Sequence, residues 1–312
     1  MFTMLSSRSK WGYLQRGLTL PVLVGVMLSL FALQGIAQTS EVEAVAAVAP
    51  SAEESVAVVE PKAESSHFQW FAHAELDANY IWRGLYCGGL SLQTEAEVSY
   101  YGFFANMWWN VGLDSWNWIK GGSVPGQPWA SVVPEVDVSI GYRWRGLSVL
   151  FIHMYYFDRY ADGRMSRYFD WRNYPPRTEN GSGGGGVTTE WRIAYRISDK
   201  VPLRLMWCTR TFGRDGYMVN GELKRAYSTY IEARYDQPLP YDFTLSGVLG
   251  ITPWRSLYTG FEKEFAVVNL AVSTTKSWQV AEYCSVAVGA MFAFNPSSLQ
   301  PLWNITAGVT FD

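Results

Sequence analysis

Ionisable residues are scarce in this chain. Charged side chains make up 17% of its 312 residues, against roughly 25% in an average soluble domain. It has three cysteines, Cys87, Cys208 and Cys284. Their odd number and irregular spacing exclude a disulfide framework and a zinc-type ligand set. It also has three histidines, His67, His73 and His153. No serine sits in a GxSxG elbow, so no Ser–His nucleophile is legible. No catalytic residue, metal or cofactor is therefore assigned. Basic residues number 25 against 28 acidic, which leaves no electrostatic footprint for nucleic acid. After residue 37 no run of 18 apolar residues occurs, so no helix is expected to span a membrane.

What the chain has in excess is aromatic residues. They form 16% of it, with 15 Trp and 19 Tyr. Many aromatics and few charges argue against disorder, a coiled coil or a low-complexity scaffold. They suit a transmembrane β-barrel, whose two interfaces carry aromatic girdles.

The N-terminus reads differently. Arg8, Lys10 and Arg16 precede an apolar stretch from Leu18 to Leu33, and small residues Gly35 and Ala37 follow. This is the pattern of a secretory signal, with cleavage expected after Ala37. Its loss would leave 22 basic against 28 acidic side chains. Residues 38–66 hold six Glu, one Lys and no aromatic. Such a segment buries too little to offset its chain entropy and is expected to be a disordered tether.

From Phe68 onward the hydrophobic period is two. Val187, Thr189, Trp191, Ile193, Tyr195 and Ile197 share one face, while Glu190, Arg192 and Arg196 lie on the other. Twelve such segments can be drawn: 68–82, 91–100, 103–113, 132–143, 147–158, 187–197, 202–213, 225–235, 241–252, 263–274, 278–293 and 302–312. Each is long enough for a tilted strand to cross the apolar layer. Short turns are expected at Tyr101-Gly102, Arg145-Gly146, 198–201, 236–240 and 275–277. They alternate with longer loops, including 114–131 and 159–186. That alternation is the outer-membrane pattern, and an even strand number puts both chain ends on the short-turn side. A soluble sandwich would have to expose a charged face on nearly every strand. The expected fold is all-β: an antiparallel up-and-down transmembrane barrel over 67–312, exported to a bacterial outer membrane.

If the apolar face meets lipid, the other face lines the lumen. Parity assigns Glu75, Asp77, Glu95, Glu97, Glu135, Asp137 and His153 to it. It also assigns Glu190, Arg192, Arg196, Arg204, Arg210, Glu232 and Arg234. In a ring of twelve, the first strand stands opposite the seventh, so an acidic wall should face a basic one. Two main readings follow. The opposed charges set a transverse field in a water-filled channel for small polar or charged solutes, or they pair and fill a non-conducting barrel with a structural or interaction role; a lipid-modifying outer-membrane enzyme ranks behind both. The expected partners are outer-membrane lipid, small polar solutes and the barrel-assembly machinery, which would read the last strand ending at Phe311.

The stretch from Glu75 to Leu113 resembles the opening of the TorF-type porin family. Asn79, Tyr80, Arg83 and Gly84 occupy places comparable to its S-x-Y-x-x-R-G motif, and Gly102, Phe103 and Trp108 to its G-x-Y-x-G-x-W hairpin. The resemblance implies an outer-membrane barrel with a pore role. A physical reading of Arg83-Gly84 is a tight turn at a strand end, with the arginine at the lumen rim.

Overall fold

The computed structural model describes residues 67–113, 134–157, 168–174 and 186–312. The expected signal segment, the 38–66 tether and most of the 159–186 loop lie outside the described residues. In chain order the strands are β1 (Phe68–Asp77), β2 (Tyr80–Trp82), β3 (Leu85–Gly88), β4 (Ser91–Tyr100), β5 (Phe103–Gly112), β6 (Glu135–Trp144), β7 (Leu147–Tyr156) and β8 (Val187–Arg196). They continue as β9 (Leu203–Gly213), β10 (Gly216–Val219), β11 (Glu222–Arg225), β12 (Thr229–Leu239), β13 (Phe243–Thr252), β14 (Ala266–Ala281), β15 (Cys284–Asn295) and β16 (Gln300–Phe311).

Twelve of these close into an antiparallel barrel in the ring order β1, β16, β15, β14, β13, β12, β9, β8, β7, β6, β5, β4. The seam joins the first strand to the last, with Ala72 opposite Phe311 and Asp77 opposite Thr306. Closure removes the unpaired edges that an open sheet would present. Strands about 4.8 Å apart and tilted by about 40° give a twelve-strand ring a backbone diameter of about 24 Å. That is wider than two facing layers of side chains can fill, so something else must occupy the middle or the middle must hold water.

The outside is apolar. Phe103, Ile140, Phe292, Trp303 and Ile305 are all exposed there. Trp191 and Ile193 are 44% and 41% exposed and point outward, as parity requires. A continuous apolar belt around a closed barrel is a surface made for hydrocarbon. Tyr100, Tyr101, Tyr142, Trp144, Tyr195 and Tyr241 gather at the short-turn end and are exposed there, in the manner of an interfacial girdle.

The short turns at Tyr101-Gly102 and Arg145-Gly146 have positive φ at both residues. These are the two-residue primed turns that match strand twist. Two expected turns move. Residues 275–277 stay in strand, because Thr274, Thr275 and Lys276 pair with Leu245, Thr244 and Phe243 in the ladder, and the chain turns instead after Ala281. The 236–240 turn moves to follow Leu239, since Asp236 to Leu239 pair with Ser246 to Phe243. Both stretches, Asp236-Gln237-Pro238 and Thr275-Lys276-Ser277, are polar or hold proline and read as turns, but their backbones stay paired in the ladder.

The larger departure is at the start. Residues 68–82 do not form one strand. The barrel strand ends at Asp77, and Asn304 Oδ1 accepts from Asn79 N at 3.0 Å. Residues 80–88 then form a separate hairpin of β2 and β3, with Trp82 opposite Leu85. Its turn is Arg83-Gly84, with φ of 50° and 75°.

Candidate functional site

The β2–β3 hairpin folds into the barrel, not away from it. Its backbone ladder is satisfied within the hairpin, so it carries no unpaired strand into the lumen. On one side it rests on β14–β16, where Ile81 packs on Ala293 and Leu302, joined by Tyr86, Ala271 and Met291. Gly84 lies so close to β14 that a Cβ there would stand 2.0 Å from the Val268 carbonyl oxygen. Asn295 Nδ2 donates to the Gly84 carbonyl at 3.0 Å.

On the other side the hairpin reaches β8, four places further round the ring from β14. Arg83 Nη1 and Nη2 donate to the two Glu190 carboxylate oxygens at 2.7 and 2.8 Å. Arg83 Nη1 also donates to Tyr258 Oη at 2.6 Å. Its guanidinium lies 4.6 Å from the Trp82 ring centre and 5.1 Å from that of Tyr230. Both partners of the ion pair are 1% exposed. A guanidinium so deeply buried is tolerated only when its charge is met, and here a bidentate carboxylate and a phenol meet its terminal nitrogens while two aromatic faces flank it. Tyr258 enters from the β13–β14 loop on a single 3-10 turn, Leu257–Thr259. With Trp82 and Leu85 it packs on a cluster of Ala194, Met206, Cys208, Tyr230 and Val268. An aromatic plug thus sits inside the barrel at the level of Glu190 and Val268.

The expected lumen residues take the following places. Glu75, Asp77, Glu95 and Glu97 line β1 and β4, and Glu135 and Asp137 line β6. Glu190, Arg192 and Arg196 line β8, Arg204 and Arg210 line β9, and Glu232 and Arg234 line β12. The ring order puts β1 opposite β9, so the acidic and basic walls do face each other. The basic wall carries its own carboxylates. Arg192 bonds Glu190 at 3.2 Å, Arg204 meets Glu232 at 3.5 Å and Arg234 bonds Asp236 at 2.7 Å. On the acidic wall Arg143 donates to Glu97 at 2.7 Å, Asn304 to Asp77 at 2.6 Å, and Asn106 to Glu95.

His153 does not line the lumen. It pairs in register with Val138 and Thr189, both on the outer parity, and Phe151, two residues along on the same face, meets Trp191 ring to ring in a tilted contact outside the barrel. The segment 168–174 covers it there, with the Tyr168 ring stacked at 4.4 Å. That segment is braced by Asp170, which accepts from Arg172 and from Tyr174 Oη at 2.7 Å. The Arg172 hydrogen bonds hold the Asp170 carboxyl well below its ordinary range. The inward residues of β7 are instead Leu150, Ile152 and Met154, which pack with Phe104 inside the lumen.

No family model matches the chain, and no curated protein does either. The TorF resemblance therefore rests on residues 75–113 alone. Solved structures are similar. The NanC porin has a TM-score of 0.39 at 10% identity, over 78% of this chain and all (100%) of that one. The KdgM porin has 0.37 at 10% identity, over 78% and 98%. An outer membrane channel from Pseudomonas putida F1 has 0.41 at 10% identity, over 81% and 98%.

Two functional residues lie beyond what parity could find. Arg83 sits inside the lumen instead of at its rim, and Tyr258 is delivered by a loop. The RG dipeptide marks the turn, but nothing local to it marks a partner 107 positions away. Beneath the plug, the residues facing inward from β13–β16 are small: Ser246, Ala271, Ala287, Gly289, Thr306 and Gly308. Larger side chains, charged on β1, β4, β6, β8, β9 and β12 and apolar on β7, occupy much of the rest of the ring, so the smaller inward side chains gather on this wall. The hairpin stands above it.

Proposed function

We propose that this protein is an outer-membrane channel for small polar or charged solutes. The observation that carries the reading is the inside-out barrel: apolar residues meet lipid, and acidic and basic walls face each other across the interior. Opposed charges orient a passing dipole and favour solutes by charge and shape. The route we infer runs along the small residues of β13–β16, between the acidic β1 and the basic β12. The closing strand β16, with Phe311 facing outward, is the segment the assembly machinery would read.

A non-conducting barrel is the second reading, favoured by the hairpin plug inside the barrel. One comparison separates them. Replacing residues 80–88 by a short Gly/Ser linker should give stepwise single-channel current in a planar bilayer. A correctly folded shortened barrel without current would leave only the second reading. Selectivity has its own test. In that barrel, Arg196→Glu with Arg204→Glu turns part of the basic wall acidic, and the reversal potential should move toward cations. An unchanged reversal potential would count against the transverse field.

A further inference from the structure

We propose that Arg83, Glu190 and Tyr258 are the latch of a gate, and that the β2–β3 hairpin leaves the lumen as a unit when the latch opens. The proposal rests on the channel reading above and adds its regulation.

Three features separate a latch from a fixed core contact. The hairpin is a self-contained piece of backbone. Its ladder, Tyr80 to Gly88, Ile81 to Tyr86 and Trp82 to Leu85, needs no wall strand and survives displacement. Its roots are suited to hinging. Ala78 and Asn79 stay bonded to β16 through Ile305, Trp303 and Asn304, while the other root is Gly88-Gly89, which imposes little conformational preference. Most telling is the carboxylate. Glu190 is shared: Arg192 Nη2 and Nε donate to its Oε1 at 3.2 and 3.3 Å. When Arg83 departs, Glu190 keeps a cation, and the Arg83 guanidinium gains water at the long-loop mouth. Neither charge is stranded, so opening avoids the penalty that normally makes a buried ion pair permanent.

The latch also ties two loops together. Tyr258 belongs to the β13–β14 loop, which is held beside the start of β12 by Ser228 Oγ, just ahead of that strand, accepting from Leu257 N at 2.9 Å. Anything that draws this loop outward removes the Tyr258 hydrogen bond of Arg83 and one wall of its aromatic surroundings. Solutes reaching the mouth from the long-loop side meet this loop and the hairpin together.

The test uses the full-length protein in lipid. The Arg83–Gly84 bond is a trypsin site that the closed state hides. Glu190→Gln keeps the volume and removes the charge. It should speed cleavage after Arg83 by about tenfold or more, the factor one charge-assisted hydrogen bond is worth. Open-channel occupancy should rise by a similar factor, as it should in Arg83→Ala, while the wild type stays mostly shut. Trypsin reads the hairpin whether or not the barrel conducts. Glu190→Gln as resistant as the wild type overturns the latch. Faster cleavage with current in the shortened barrel supports both latch and channel. Faster cleavage with no current in any variant supports the latch and removes the channel reading.

Discussion

Replacing Gly84 by valine is expected to expel the β2–β3 hairpin from the lumen while leaving the twelve-strand wall intact. The position combines two constraints that only a glycine satisfies. Its φ of +75° is one that a β-branched residue adopts at a cost of about 1–2 kcal/mol. The space its Cβ would enter is held by the Val268 carbonyl at 2.0 Å, which is backbone of a paired barrel strand and cannot step aside. The wall strands touch the hairpin through side chains and this close approach, so the strain is relieved by undocking. Cleavage by trypsin after Arg83 should rise by more than about tenfold, with the β-sheet circular dichroism of the wild type preserved. Protection equal to that of the wild type would show that the hairpin is not seated on Val268.

The second large effect belongs to the outside. Ile140 stands mid-strand on β6, 61% exposed and flanked in register by Ala105 and Phe151. Arginine on a barrel's lipid face near the bilayer midplane costs about 2–4 kcal/mol. Ile140→Arg should lower the unfolding free energy by that amount when urea titration is done in lipid vesicles, while Ile140→Leu should change it by less than about 0.5 kcal/mol. A small effect from arginine would mean that the side chain meets water, and the membrane orientation would have to be abandoned.

Parity was informative where a strand's two faces differ. On β8 the contrast between Trp191 or Ile193 and Arg192 is enough to settle both faces. On β7 it is not, because Leu150, Ile152 and Met154 are as apolar as the outward set. There a lone histidine draws the eye inward, yet only the pairing of His153 with Val138 and Thr189 fixes its side. The hairpin was hidden for a related reason. Tyr80, Ile81 and Trp82 look like three more strand residues, and the break before them contains neither Gly nor Pro. It is made by Asn304, more than two hundred positions downstream. The turn signal at Arg83-Gly84 was legible, being the same chemistry as Tyr101-Gly102 and Arg145-Gly146. What distinguishes it is its destination, and that depends on small residues at Ala271 and Ala293 that leave a berth.

The berth and the seam have a consequence for how the molecule is made. The hairpin is among the first segments to be synthesised, yet Asn295, Ala293 and Leu302, on which it rests, belong to the last two strands. Pairings of such long separation form slowly. The hairpin therefore has no seat until β15 and β16 are in place. An unfinished barrel is an unsealed one, and in the channel proposed above both the wall and its plug wait for the arrival of the final strands.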